Sequence, residues 1–440
     1  MKGYCPLPRA RTMPRRPPKL PAVPETLVTQ PEELAACLGL LAQAPVIGFD
    51  TEFVGEDAYR PELCLIQIAT PDNLFVIDPV SCGPLGGFWD ILTDPARTVV
   101  VHAGREDIRL CFFATGKPPA GVFDVQLAAG LAGFTYPIGY AGLVQELLGQ
   151  RMSKGETLTD WRRRPLLPGQ LRYAFDDVRY LLPVWRRLTD RLHRAGRLAW
   201  ATEEFAGFVR KATADEQAAE RWRKVKGIGG LDRRGLAIAR EVFGWRDAFA
   251  QRVNRPPRML LRDDLVVEIA RRAPTQMDEL QSLRGLPRGE PDAILQAVHR
   301  ANALPLADLP ELEPRDNDPA NIVLLGNLLG VVLSDMCGRR NLAANLVASG
   351  QDLRSLVRCR AGGLTAPDIP LTRGWRATAI LPELLAILDG AHAVRVVRPS
   401  SAAPLGYLPV GPIGTDPAPP LDDPGPEESA SDELPAADDL

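Results

Sequence analysis

The sequence predicts an α/β domain with a mixed sheet, followed by all-helical domains. Three strand-like runs lie close together at 46–53, 63–70 and 73–79, and the Pro and Gly residues between them indicate antiparallel hairpin connections. A fully apolar strand at 98–103 then passes into a helical pattern, so that strands and helices alternate here. After about residue 214 the strand patterns vanish, and the remaining segments are helical.

The other elements of the α/β domain follow in order along the chain. An amphipathic helix at 31–44 leads into the first strand, and apolar residues recur at helical spacing over 168–196. Between them, the predicted elements are a helix near 86–93, a helix that starts around Arg105, a short strand near 121–125, and helices covering roughly 126–134 and 139–148.

Changes in composition and pattern divide the chain into six parts. A polar, Pro-rich connector, ALPLADLPELEPRDNDP, separates two groups of helical segments. The predicted parts are a disordered basic Pro-rich segment (1–24), the α/β domain (25–208), a helical domain (214–301), a linker (302–318), a second helical domain (319–397) and a disordered acidic tail (398–440).

The composition is that of a soluble globular protein. Hydrophobic residues make up 45% and charged residues 24%, and 440 residues are too many for one ordinary core. The seven cysteines include no C-x-x-C pair, which favours a reducing compartment over a disulfide framework or a structural zinc site. The four histidines lie too far apart in sequence for a His-rich metal site.

The sequence predicts neither a secretory signal nor a membrane span. No apolar run approaches the roughly 20 residues that cross a bilayer, and NIVLLGNLLGVVL at 321–333 is interpreted as a buried helix. The basic N-terminal segment has no apolar h-region. The expected compartment is the cytoplasm; an organelle transit peptide is the alternative, and the prolines argue against it.

The charge of the chain is divided unevenly. The formal net charge is −3, but residues 416–440 contain nine Asp and Glu and no Lys or Arg, so the rest of the chain carries +6. Residues 221–300 hold 17 Lys and Arg against 10 Asp and Glu. A basic helical domain suits a polyanionic partner that it contacts through phosphates, without reading the base sequence.

An acidic pair interrupts the apolar stretch VIGFDTEFVG. Side chains alternate along a strand, so Asp50 and Glu52 project side by side on one face. Such a like-charge pair is costly unless a cation or a proton neutralises it. The alternative is an edge strand that leaves the core here, with both acids in water.

Two further segments supply groups of the same kind. In VVVHAGREDIRL, Asp107 lies in the first turn of a helix that follows an apolar strand, and in LRYAFDDVRYL, Tyr173 and Asp177 are four residues apart and share a helix face. Mg²⁺ and Mn²⁺ prefer oxygen ligands, and two such ions about 4 Å apart support hydrolysis at phosphorus. A phenol beside the attacking water can orient it by hydrogen bonding.

These motifs resemble those of a known exonuclease family. FDTEF, HAGREDIRL and YAFDDVRYL are similar to the three motifs of the DEDD 3′→5′ exonucleases whose third motif is Tyr-x-x-x-Asp, and in particular to the ribonuclease D family. The resemblance implies a ribonuclease H-like (DnaQ-like exonuclease) fold for the α/β domain. It also assigns the site: Asp50, Glu52, Asp107 and Asp177 as ligands of two divalent metal ions, Mg²⁺ or Mn²⁺, and Tyr173 as the residue that positions the water.

The helical domains carry a resemblance as well. Residues 222–274 resemble an HRDC domain, a helical nucleic-acid-binding module, and residues 352–390 resemble the second HRDC-like unit of the ribonuclease D family. The implied function is a 3′→5′ exoribonuclease that trims the 3′ ends of structured RNA precursors such as tRNA and releases nucleoside 5′-monophosphates. No protein partner and no membrane association are inferred.

Several residues have weaker assignments. His102 closes an apolar strand near the expected site, and Lys154 and Arg162 flank Trp161 in a pattern that can track a phosphate backbone and stack a base; packing and a solvated helix face are the alternatives. The chain also departs from the family pattern at two positions. Val125 replaces a common Thr and Gly155 a frequent Ser.

Neighbouring acids compete for the assigned metal positions. Asp176, beside Asp177, does not share the face of Tyr173 and is expected in solvent, and Glu106 is interpreted as a helix N-terminal charge. Two rival functions remain open. One is an exonuclease that acts on DNA ends, because nothing in the motifs reads a 2′-hydroxyl. The other is a catalytically silent RNA-binding scaffold, which predicts the loss of at least one ligand.

Overall fold

The computed structural model describes most of the chain. The described residues are 22–152, 159–214, 220–287, 290–312, 318–364 and 367–411. Three sequence predictions therefore lie outside them: the N-terminal basic segment up to residue 21, the role of Lys154, and the acidic tail from residue 412.

Within the described residues, six strands form one mixed sheet in the order β1-β4-β3-β2-β5-β6. The strands are β1 (Glu25–Val28), β2 (Val46–Val54), β3 (Glu62–Ala69), β4 (Leu74–Ile77), β5 (Thr98–Val101) and β6 (Val122–Asp124). The short connections join β2, β3 and β4 in antiparallel order, as the sequence predicts, whereas β1, β5 and β6 pair in parallel. Strand β1 was not predicted, because its four residues are too few to show a pattern.

Helices cover both faces of this sheet. They are α1 (Pro31–Leu41), α2 (Pro79–Cys82), α3 (Gly86–Leu92), α4 (Arg105–Thr115), α5 (Val125–Leu131), α6 (Tyr140–Leu148), α7 (Pro168–Arg179), α8 (Leu181–Arg194) and α9 (Leu198–Thr213). The single helix predicted over 168–196 is wrong, because the chain turns at Tyr180 between α7 and α8. Pro183, which has no backbone N–H, lies in the first turn of α8 and so favours a new helix start.

Strand β2 divides its side chains between two cores. Ile47 and Phe49 are buried in the core that contains residues of α1, α3 and α4. Gly48 faces the other core, where a Cβ at this position would lie 3.3 Å from Cβ of Leu181 in α8. Asp50 is two residues after Gly48 in the strand and therefore projects to the same side of the sheet. The acidic pair thus lies on the face that α7 and α8 cover.

The first helical domain has a core of its own. After 3₁₀ turns at Arg221–Lys224 and Ile228–Gly230, its helices are α10 (Arg233–Val253), α11 (Pro257–Leu260), α12 (Asp263–Arg272), α13 (Met277–Gln281) and α14 (Pro291–Asn302). Trp222 is fully buried in this core. Part of the predicted linker also packs here, since Leu309 is buried in the same core and Arg233 donates to its carbonyl oxygen at 2.8 Å.

The second helical domain shares a continuous core with the α/β domain. Its helices are α15 (Ala320–Arg340), α16 (Ala344–Val347), α17 (Gly350–Ala361), α18 (Gly374–Ala379) and α19 (Leu381–Leu388). The rings of Trp200 in α9 and Trp375 in α18 stack with centroids 4.6 Å apart. Buried Arg376 pairs with Glu204 and donates to the carbonyl oxygen of Val347 at 2.9 Å. These contacts join the two domains into one packed unit.

Helix α15 is longer than the apolar segment predicted at 321–333. Among the described residues it is the one helix long and apolar enough to cross a membrane by length and composition, a test that core helices of soluble proteins also pass. Here α15 packs against α17 and α19, and Ile322, Leu329 and Met336 are among its buried residues.

The prediction that the chain is helical to 397 and disordered from 398 is wrong for the described part of this segment. Strands β7 (His392–Val396) and β8 (Leu405–Pro409) pair in antiparallel order. Asp335 of α15 anchors this hairpin, because it accepts hydrogen bonds from the Tyr407 hydroxyl at 2.8 Å and from the Leu405 backbone at 3.2 Å. The hairpin thus precedes the acidic composition, which begins only at residue 416.

Candidate active site

The first two acids extend past the end of a neighbouring strand. Pairing between β2 and β5 covers only residues 46–48 of β2, so Asp50 and Glu52 lie beyond β5, at the edge where α4 begins. Asp107 in the first turn of α4 is buried and reaches the same place. The Thr51 hydroxyl donates to the Asp107 carboxylate at 2.5 Å and so joins α4 to β2.

A constrained turn sets the direction of α4. Ala103 has a positive φ of 52°, and a Cβ at Gly104 would lie 2.6 Å from Cβ of Val101, which only glycine avoids. Buried Asp124 accepts the Gly104 N–H at 3.2 Å and also caps α5 through the Leu127 N–H at 2.9 Å. Asp124 therefore holds the turn that positions Asp107.

Helix α7 brings the third motif onto the same face of the sheet. It packs against β2, β3 and β4, and Tyr173 and Asp177 project from it one turn apart. The Tyr173 hydroxyl and the Asp177 carboxylate lie close enough for each to affect the pKa of the other. The three segments, which span about 130 residues of sequence, thus meet at one edge of the sheet, as predicted.

The electrostatics show how closely the four acids approach. Burial, followed by the charges of Asp107, Asp177 and Glu52, holds the pKa of Asp50 well above its usual range. Burial and the charges of Asp177 and Asp107 raise the pKa of Glu52 to about 8. Burial is also the main cause that raises the pKa of Asp107 to about 6 and that of Asp177 to about 7. Without a cation, this cluster shares protons near neutral pH.

The donor set fits hard divalent cations. It consists of carboxylate oxygens, and Oδ2 of Asp177 is buried without a hydrogen-bond partner among the described residues. As the side chains are placed, no three Asp, Glu, His or Cys residues of the described ranges stand close enough to enclose an ion. A cation that binds here therefore requires the carboxylates to draw closer together.

Tyr173 is placed as a hydrogen-bonding group rather than a base. Burial, followed by the charges of Asp177, Glu52 and Asp50, raises its pKa above the usual value for tyrosine. The phenol therefore stays protonated at neutral pH. Its ring packs against Trp161 with centroids 5.9 Å apart, which limits its movement.

The structure places the three described residues that were predicted as substrate contacts, Trp161, Arg162 and His102, in different surroundings. Trp161 is only 4% exposed, so it cannot stack a base in this structure, and it instead supports Tyr173. Arg162 pairs with Asp57 at 2.8 Å and with Asp160 at 3.0 Å. His102 lies with Nε2 3.0 Å from the Ile138 carbonyl oxygen, which fits a packing role. Contact of Arg162 or His102 with substrate stays a prediction.

The competing acids have other partners. Asp176 pairs with Arg179 at 2.7 Å, and Glu106 pairs with Arg109 at 3.0 Å. Neither is needed as a ligand.

Comparison with known proteins agrees with this geometry. Residues 26–193 match the family model described as 3′-5′ exonuclease, and residues 235–298 match the HRDC domain model. Ribonuclease D of Gluconacetobacter diazotrophicus is 38% identical over 373 residues, which cover 83% of this chain and 93% of that protein. The chain belongs to the ribonuclease D family. Ribonuclease D of Acidiphilium cryptum is 37% identical over 85% of this chain and 96% of that protein.

Solved structures of ribonuclease D relatives show the same architecture. That of Escherichia coli RNase D, described as an exoribonuclease involved in structured RNA processing, has a TM-score of 0.73 and 28% identity over 83% of this chain and 99% of that chain. The catalytic core of RRP6 from Trypanosoma brucei has a TM-score of 0.51 and 26% identity over 67% of this chain and 84% of that chain. This ribonuclease D family member is a 3′→5′ exoribonuclease, and the predicted fold class is confirmed.

Proposed function

We propose that this enzyme trims the 3′ ends of structured RNA precursors, such as those of tRNA, and releases nucleoside 5′-monophosphates. The observation that carries this proposal is the convergence of Asp50, Glu52, Asp107, Tyr173 and Asp177 from three distant segments. The solved relative described as acting in structured RNA processing supports the substrate class. The cytoplasm is proposed as its compartment, since the seven cysteines include no C-x-x-C pair and favour a reducing compartment.

In this proposal the four carboxylates hold two divalent ions, Mg²⁺ or Mn²⁺. Enzymes of the exonuclease family depend on divalent metal. When bound, such ions activate water and stabilise the charge that develops on a phosphodiester. The protein supplies a rigid frame for them: β2 presents Asp50 and Glu52, the constrained turn before α4 presents Asp107, and α7 presents Asp177.

Tyr173 orients the attacking water and keeps its own proton. Its raised pKa keeps the hydroxyl protonated at neutral pH, so the hydroxyl can donate a hydrogen bond to the neighbouring Asp177 carboxylate. The phenol oxygen retains lone pairs that can accept a hydrogen bond from water at the same time. This arrangement fixes the direction of attack without requiring tyrosine to act as a base.

The Tyr173→Phe substitution should distinguish a role in orienting the attacking water from a role in binding RNA. We expect kcat to fall about 10- to 100-fold, because one hydrogen bond to the nucleophile is lost while the carboxylates stay in place. KM for RNA should change less than about threefold, since no phosphate contact is removed. Steady-state kinetics on a single-stranded RNA 3′ end would measure both constants. A rise in KM with unchanged kcat would assign Tyr173 to substrate binding instead.

The proposed substrate is tested by parallel digestion of RNA and DNA. Purified enzyme is incubated with 5′-labelled tRNA-like RNA that carries a 3′ extension and with matched single-stranded DNA, each with Mg²⁺, Mn²⁺ or EDTA. The proposal expects a ladder that shortens from the 3′ end of RNA alone and disappears with EDTA. Shortening of DNA alone would support the rival that acts on DNA ends. Binding without shortening would support the scaffold.

The acidic tail should compete with RNA for the basic helical domain. Its nine acids and the net +7 of residues 221–300 are complementary. Truncation after residue 411 should therefore tighten RNA binding about 2- to 10-fold at low salt, and the gain should shrink above about 0.3 M salt because of screening. Fluorescence anisotropy with labelled RNA measures this. Equal affinity of the two forms at low salt would contradict the prediction.

A further inference from the structure

A fully buried glutamine lies directly beside Asp50. Gln67 in β3 is the register partner of Asp50 in β2, and its exposed fraction is 0%. Residues that face each other across an antiparallel pair project to the same side of the sheet. The amide of Gln67 therefore lies on the side covered by α7, next to the first carboxylate of the site.

The surroundings of this amide are otherwise apolar. Leu65 and Ala69, two residues away on either side in β3, are both in the core, and so is Val76, the register partner in β4. Neither the amide nitrogen nor the amide oxygen of Gln67 forms a hydrogen bond to any described residue. An unpaired buried polar group costs about 1–3 kcal/mol. For packing alone, methionine or leucine would be the more stable choice at this position.

A second unpaired polar atom lies near the same carboxylates. The hydroxyl of Tyr140 in α6 is buried, and although it lies close to the Tyr180 backbone, it makes no hydrogen bond of ordinary geometry to the described residues. Burial and then the charges of Asp177 and Asp50 act on this hydroxyl, which places it beside the site. Its ring packs on His102 with centroids 5.3 Å apart.

The four carboxylates need hydrogen-bond donors on the sides that face away from the cations. Asp177 keeps one buried oxygen, Oδ2, that no described residue satisfies. Ligating carboxylates are commonly held by outer hydrogen bonds, which fix their orientation towards the metal. Gln67 and Tyr140 are buried hydrogen-bond donors without a partner in the part of the chain that the structure describes.

We propose that Gln67 and Tyr140 are positioning residues: the Gln67 amide N–H donates to the Asp50 carboxylate, and the Tyr140 hydroxyl donates to Oδ2 of Asp177, when the carboxylates close around cations. This inference rests on the proposed metal site. The two donors lie behind the carboxylates, so they orient the ligands without touching the substrate. Before the cations bind, the buried polar atoms of Gln67 and Tyr140 lack hydrogen-bond partners among the described residues, which lowers the stability of the folded protein.

Gln67→Met tests this role because it removes the donor and keeps an unbranched side chain of similar length. In EDTA the variant should unfold at the same temperature as wild type or a higher one, since an unpaired buried amide is lost. The Mn²⁺ concentration that gives half of the maximal thermal stabilisation, and half of the maximal RNA trimming, should rise about 10- to 100-fold. Tyr140→Phe should act in the same direction. Ile68→Met, the next residue on the opposite face of β3, is the control and should leave the Mn²⁺ requirement unchanged.

The outcomes separate positioning from packing. A Gln67→Met protein that unfolds at a lower temperature or does not fold, with a wild-type Mn²⁺ requirement for Tyr140→Phe, would overturn the inference and assign both residues to packing. Failure of the proposed function itself would look different. In that case wild type would show neither stabilisation by Mn²⁺ nor shortening of RNA.

Discussion

Asp177→Asn is expected to abolish exonuclease activity while the protein stays folded. Asparagine keeps the shape of the side chain and one hydrogen-bond acceptor, but it removes the negative charge that a divalent cation requires. We expect kcat to fall at least about 10³-fold, which corresponds to about 4 kcal/mol of transition-state stabilisation. Because the substitution removes one charge from a crowded cluster, the unfolding temperature in EDTA should stay the same or rise.

The neighbouring residue provides a matched control. Asp176→Asn makes the same chemical change one position earlier on α7, where the carboxylate pairs with Arg179 instead of facing the site. We expect its kcat to stay within about threefold of wild type, because a partly exposed ion pair contributes little. Single-turnover digestion of 5′-labelled RNA measures both variants. Equal losses in the two would contradict the assignment of Asp177 as the ligand.

The metal-free protein should lose stability as pH rises. A carboxyl group whose pKa is higher in the folded protein than in the unfolded chain binds more protons when folded, so unfolding becomes easier as the pH passes through the raised pKa. Burial, followed by the charge of Asp176, raises the pKa of Asp177 to about 7, and burial with the charges of Asp177 and Asp107 raises that of Glu52 to about 8. In EDTA, we therefore expect the unfolding temperature at pH 8.5 to lie about 5 °C or more below that at pH 6.

Cation binding should remove most of this dependence. With saturating Mn²⁺ the charges are neutralised, so the unfolding temperature should become nearly independent of pH between 6 and 8.5 and binding should release protons. Asp50→Asn in EDTA should also flatten the profile, whereas Asp176→Asn should flatten it less, because the Asp176 charge is a smaller cause than burial of the raised pKa of Asp177. Differential scanning fluorimetry across this pH range measures all four curves. A profile in EDTA that rises with pH would contradict the raised pKa values of the cluster.

Much of the site follows from local sequence. The interval between Asp50 and Glu52 places both on one face of any strand, and the interval between Tyr173 and Asp177 places both on one face of any helix. Gln67 is also visible in the sequence as an exception, since it is the polar residue within the apolar run LCLIQIA. Its meaning depends on the register with Asp50, which no local pattern encodes.

Other features required the folded chain. Trp161 carries the sequence pattern of a surface platform beside basic residues, yet it is buried under Tyr173 because the segment before α7 folds back onto the site. The hairpin of β7 and β8 was assigned to helix and disorder because its strands are short and lie next to an acidic tail. Its partner, Asp335, is about 70 residues away in the sequence.

By itself, the sequence predicted the α/β class and the order of its main strands and helices, because periodicity within a short segment dictates which side chains share a face. The resemblance of its motifs to the ribonuclease D family supplied the family and the proposed catalytic residues. The tertiary structure alone decided that the second helical domain is fused to the α/β domain, with Arg376 paired to Glu204 across 172 residues. It also decided that the polar atoms of Gln67 and Tyr140 are buried without a hydrogen-bond partner among the described residues. Such contacts join positions that are far apart in the chain, so only the packing of whole elements brings them together.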